Sequence, residues 1–125
     1  MKRRMLVMFG PLFLATAGAG IGLAVEHKGE LSRKDLNALL AKMSTTQDHL
    51  HLAAHYHAVG KRYEAESAEH AEMAKMYRAK PTVSETKRPM APDTAAHCEY
   101  LAESIGKAAK EAHSMAMAHE AMAKK

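Results

Sequence analysis

Residues 46–78 read TQDHLHLAAHYHAVGKRYEAESAEHAEMAKMYR, and this stretch decides the fold. It holds no proline and one glycine, Gly60, so nothing in it forbids a continuous helix of roughly 50 Å. Thr45 or Thr46 can cap its start, with Asp48 in the first turn favouring the helix dipole, and Lys80-Pro81 ends it. Steps of three and four pick out a seam of His49, Leu52, Tyr56, Val59, Tyr63, Glu66, His70, Met73 and Tyr77. Downstream, Asp93 or Thr94 caps a second long helix running to about Lys124. Its seam reads Cys98, Leu101, Ile105, Ala108, Ala112, Met115, His119 and Met122. A shift of 49 residues superposes the two stretches, with His70-x-x-Met73-Ala74-Lys75 falling on His119-x-x-Met122-Ala123-Lys124.

Between them, residues 80–92 carry three of the four prolines and read as a linker. Folding there makes the two helices antiparallel and pairs positions whose numbers sum to roughly 171, to within about one turn. That register sets Met73 beside Cys98, His70 near Leu101, His49 beside Met122 and Leu52 beside His119. Gly60 and the alanines allow close approach, although Gly60 costs about 1 kcal/mol against alanine. Upstream, Leu31–Met43 reads as a short amphipathic helix. Ser32 and Asp35 form a capping signal, and Leu36, Leu39, Leu40 and Met43 make one apolar face. No stretch reads as a strand. The fold expected is all-α: an antiparallel helical hairpin of two long helices plus a short N-terminal helix. A single hairpin buries little of its second face, so a homodimer completing a four-helix bundle is expected. Residues 25–125 form one domain on this reading.

Residues 1–24 read as a secretory signal. Met1-Lys2-Arg3-Arg4 is basic, Met5–Leu14 is apolar, and Ala15–Ala24 is rich in alanine and glycine. Cleavage fits after Ala24, or after Ala19. The alternative is an uncleaved inner-membrane anchor, since residues 5–25 are long enough to span a bilayer. Export places the protein in a bacterial periplasm. The formal charge of +4 then falls to +1, because Lys2, Arg3 and Arg4 leave with the signal. Nucleic-acid binding thereby loses the clustered positive charge it needs. A membrane role is confined to the signal or anchor.

The chain is rich in histidine and methionine for its 125 residues, with nine and ten respectively. The seam gathers them at two places. One cluster, near the linker, is His70, Met73, Cys98 and His97; the other is His49, His119, Met122 and Met115. Imidazole, thioether and thiolate together suit copper, above all Cu(I). Glu66 stands one turn before His70 and could orient its ring. A further face carries His51 with His55, and His113 with Met117, at helical i,i+4 spacing, which can chelate Cu(II), zinc or nickel. The plainer reading is that methionine at heptad spacing fills a core and that Cys98 is a small buried residue. On that reading His57 faces water, and Glu64, Lys107 and Lys110 lie on a solvated face. An enzyme is not expected. The chain has no Gly-rich phosphate loop. One cysteine makes neither a CxxC pair nor a haem attachment, and a Cys98/His70 nucleophile pair on helix interiors lacks an oxyanion site. A ferritin-like di-metal site needs Glu at 67 and 116, where Ser67 and Ala116 stand.

Residues 69–78, EHAEMAKMYR, and residues 96–102, AHCEYLA, resemble small exported Ala/His/Met-rich bacterial helical proteins. The resemblance implies an exported helical hairpin and carries no established activity. Met43-Ser44-Thr45-Thr46-Gln47 is similar to the LTxxQ motif of periplasmic stress proteins of the CpxP/Spy type, with Met for Leu and Ser for Thr. Two functions are therefore expected to compete. One is a periplasmic transition-metal protein that buffers or carries copper. The other is a structural, interaction or stress-chaperone module of the envelope without metal.

Overall fold

The computed structural model describes residues 29–125. Over these the chain is all-helical: α1 Arg33–Lys42, α2 Thr46–Ala79, α3 Ser84–Lys87 and α4 Ala95–Ala123. The expected signal or anchor, residues 1–24, lies outside the described residues. No described helix is long and apolar enough to cross a membrane.

Each long helix starts where a threonine side chain can satisfy an orphan amide. Thr45 Oγ1 accepts from the Asp48 amide, while Asp48 Oδ2 accepts from the Thr45 amide, a reciprocal capping box. The Ser44 amide, which also donates to Asp48 Oδ2, and then these bonds hold the Asp48 carboxyl below its ordinary range. Thr94 caps α4 through the His97 amide and is itself buried, its hydroxyl lying 2.6 Å from the Pro89 carbonyl oxygen. The Pro-rich linker is not wholly irregular, because α3 forms inside it and Glu85 reaches back to the Ala95 amide. Helix α2 runs unbroken through Gly60.

α2 and α4 pack against each other as an antiparallel pair. Bonds link His49 with His119, His57 with His113, Ser67 with Ala102 and Arg78 with Glu99. The register thus agrees with the expected one to within a turn. Two rows meet at the interface. The row of larger side chains is His49, Tyr56, Tyr63 and His70 on α2, set against His119, Ala112, Ile105 and Cys98 on α4. This half of each expected seam stands. Most of the other half is displaced by one residue. Leu52 stands, fully buried, whereas Val59, Glu66 and Met73 on α2, with Leu101, Ala108, Met115 and Met122 on α4, are only partly covered or exposed. The small residues beside them take the interface instead: Ala53, Gly60, Ser67 and Ala74 against Ala95, Ala102, Ala109 and Ala116. All eight sit at heptad spacing. The cause is steric, since residues without long side chains let two backbones approach and a thioether at the same place would hold them apart. Met115 and Met122 are accordingly about half exposed, at 44% and 46%.

The short helix forms where expected, with Ser32 Oγ accepting from the Asp35 amide, but none of its residues is buried. The segment before it docks instead. The Leu31 amide donates to His55 Nδ1 at 2.9 Å, and Glu30 pairs with Arg62 at 2.7 Å. The Glu30 carboxylate raises the already high proton affinity of Arg62.

Candidate metal centre: two histidine pairs across the helices

The pairing of α2 with α4 brings four histidines together in two pairs. His57 and His113 stand on the flank of the interface, with their Nδ1 atoms 3.2 Å apart. The far nitrogen of each ring meets a carboxylate from the opposite helix. His57 Nε2 lies 2.9 Å from Glu120 Oε1, and His113 Nε2 lies 3.0 Å from Glu64 Oε1. The result is a continuous chain Glu120–His57–His113–Glu64. It has an internal two-fold character, because each helix contributes a histidine and a glutamate seven residues later.

The protonation pattern of this chain follows from its ends. An ionised carboxylate only accepts, so each Nε2 must carry the hydrogen. A neutral imidazole holding its hydrogen on Nε2 presents a bare lone pair at Nδ1. Two such lone pairs then face each other at 3.2 Å, which is repulsive unless a cation lies between them. A proton answers that requirement. So does a metal ion: at a metal–nitrogen distance of 2.0–2.1 Å and a tetrahedral angle, two ligand nitrogens stand about 3.3–3.4 Å apart. Imidazole ligands commonly donate their other N–H to a carboxylate, which fixes the tautomer and strengthens the ligand. Glu64 and Glu120 occupy that role here.

The second pair lies toward the C-terminal end of α4. His49 and His119 approach with Nδ1 atoms 3.1 Å apart and rings stacked at 5.4 Å. Tyr56 also stacks on His119, 5.8 Å between centroids. Among the described residues no carboxylate bonds to either ring of this pair. Burial, and then the neighbouring His49, push the His119 proton affinity below the ordinary histidine value. Six residues along α4 separate His113 from His119, about 9 Å along the axis.

Gly60 makes the first pair possible. A Cβ there would stand 2.7 Å from both Cε1 and Nε2 of His113, so the ring rests on the bare backbone of α2. The absent side chain that permits close helix packing also opens the seat for this imidazole.

The other expected ligands are placed differently. His51 and His55 do not form a chelate. His51 is exposed, while His55 is buried with its Nδ1 already accepting from Leu31. Burial lowers the His55 proton affinity, with Glu30 opposing and Arg62 reinforcing that effect. His113 turns to His57 and Glu64, away from Met117, which is 63% exposed. His70 keeps its Nδ1 buried with no hydrogen-bond partner among the described residues, and the register places it opposite Cys98. Cys98 is 1% exposed and burial pushes its thiol up, which disfavours the thiolate form a metal needs. Met73 and His97 are half-buried near this end. Glu66 bonds to Arg62 and not to His70. Among the described residues, no three or more of His, Cys, Asp and Glu converge to hold a metal ion. The closest approaches between imidazoles are those of the two pairs.

Sequence reasoning passed over His57, Glu64 and Glu120. Their signal was present: His57-x6-Glu64 and His113-x6-Glu120 repeat at an offset of 56, which also superposes Ala53 on Ala109 and Gly60 on Ala116. No family model, curated protein or solved structure matches the chain.

Proposed function

We propose that this protein binds a transition-metal ion between α2 and α4 and serves as a buffer or carrier, with no catalytic role. The observation that carries the reading is the facing Nδ1 pair of His57 and His113, each ring held from behind by a carboxylate of the opposite helix. A site with two protein ligands leaves coordination positions open. Openness suits an ion that must be handed on and is unlike the closed four-ligand cage of a structural zinc. Copper is the leading ion, with zinc and nickel as competitors for imidazole. Export to the periplasm, where such traffic is needed, belongs to the same proposal.

Thermal unfolding of the purified protein, with and without Cu(I), Cu(II), Zn(II) and Ni(II), tests it. An ion that binds only the folded state, at 100 times its dissociation constant, adds about 2.7 kcal/mol of stability. Replacing His57 and His113 together by alanine should abolish the shift for at least one ion. Replacing Glu64 or Glu120 by alanine should weaken binding by about 10–100-fold, as removal of a carboxylate behind a ligand does. No stabilisation by any of the four ions would overturn the reading.

A second reading draws on one observation, the uncovered apolar surface of α1 and the start of α2, where Leu40 and Leu50 are each 45% exposed. There the chain is an interaction module of the envelope, or forms a dimeric four-helix bundle, and its histidine pairs are cross-helix latches. Sedimentation of the metal-free protein distinguishes a dimer from a monomer.

A further inference from the structure

We infer that the two histidine pairs are sites for different ions: His57/His113 for a divalent ion, and His49/His119, with Met122 as third ligand, for Cu(I). The inference rests on the metal-binding reading above and divides it. The first pair has two carboxylates bonded directly behind its rings, so a doubly charged ion there is met by two negative charges. The second pair has neither. Asp48, the carboxylate next to His49 in sequence, is bonded to the amides of Ser44 and Thr45 and acts on His49 only through space, and Glu120, next to His119, is turned to His57. An uncharged ligand set with little compensating charge favours the singly charged, soft ion.

Soft donors also stand at the second pair alone. Met115, His119 and Met122 lie at i, i+4 and i+7 on α4 and so share one face. Long side chains on a helix lean toward its N-terminus, which carries the Met122 thioether back over the turn holding His119. By the same rule Met115 leans away from His119. Met122 is 46% exposed, so its sulfur is free to swing without opening a cavity. Two imidazoles and one thioether make a three-coordinate set that Cu(I) accepts. Divalent ions, which want more and harder ligands, do not compete well for it.

Competitive titration of the purified protein decides the matter, with Cu(I) under reducing conditions against a chromophoric Cu(I) chelator, and Zn(II) against a zinc indicator. Met122→Leu should weaken Cu(I) binding at least tenfold and leave Zn(II) binding unchanged, while Met115→Leu should change neither. His57→Ala should weaken Zn(II) at least tenfold and spare Cu(I). X-ray absorption of the Cu(I) protein should show one sulfur scatterer that Met122→Leu removes. Both methionines are solvent-facing, and circular dichroism of each variant verifies that the helices persist. Unchanged Cu(I) affinity in Met122→Leu, or loss of both ions in His57→Ala, would overturn the division while leaving metal binding itself intact. Absence of binding by either ion to the unaltered protein would instead remove the reading on which it rests.

Discussion

Replacing Gly60 by alanine sets helix propensity against the seat of His113, and the two effects are read by different assays. In a helix interior alanine is favoured over glycine by about 1 kcal/mol, so propensity alone predicts a stabilised protein. The new methyl would stand 2.7 Å from two atoms of the His113 ring, about 0.7 Å inside the 3.4 Å at which ordinary contact begins. Overpacking of this kind costs about 1–3 kcal/mol where neighbours cannot move. His113 can move, since its side chain is 27% exposed on the flank of the interface. The ring should therefore swing outward, and overall stability should stay within about 1 kcal/mol of the unaltered protein, because the propensity gain and the residual strain offset each other. The same displacement takes His113 Nδ1 off its 3.2 Å approach to His57 and its Nε2 off Glu64. Thermal unfolding should thus register little change, while Zn(II) affinity falls by about tenfold or more, equivalent to about 1.4 kcal/mol of binding free energy. A gain of the full propensity increment with Zn(II) affinity untouched would refute the placement of His113 over Gly60 and its role as a ligand.

Acidification should loosen the segment before α1. His55 has a folded proton affinity lowered by burial, faces Glu30 and Arg62, and accepts the Leu31 amide on Nδ1. The unfolded chain therefore takes up the proton first. The stabilisation is present above the unfolded value of 6.5 and is lost as pH falls through 6.5 toward the lower folded value. Denaturant titrations at pH 7.5 and pH near 5 should differ in the unaltered protein and differ less in His55→Leu; equal slopes with pH in both would contradict this. Ala109→Leu places a large side chain in the small-residue row opposite Gly60 and should cost about 1–3 kcal/mol or prevent the helices from pairing, as measured by urea unfolding. If Ala109→Leu leaves stability unchanged, the close approach is wrong. Ser67→Ala removes the 2.7 Å bond to the Ala102 carbonyl and should cost about 1 kcal/mol in the same assay.

The sequence by itself determined the secondary structure, through signals that act locally. Proline absence over residues 46–78, the threonine caps at Thr45 and Thr94, and the break at Lys80-Pro81 need no partner to take effect, and the helices lie where those signals put them. The antiparallel register was also legible to within a turn, since a linker of a dozen residues leaves little freedom in where the second helix begins. Half of the seam was legible for the same reason, as Tyr56, Tyr63, Ile105 and Cys98 show. The other half was decided by the tertiary structure alone. Periodicity marks a face only coarsely, and following the bulkiest residues selects Met73 and Met115 over Ala74 and Ala116. Which neighbour faces the partner depends on how near the two backbones can come, and no single helix carries that information. The histidine pairing depends on the same choice. Once Ala53, Gly60 and Ser67 take the interface, His57 is carried to its flank, where His113 and Glu120 meet it, and Glu64, still largely exposed, comes within reach of His113. The chemistry of the residues was written in the chain, but the 3.2 Å between His57 and His113 exists only because two rows of small residues let the helices close.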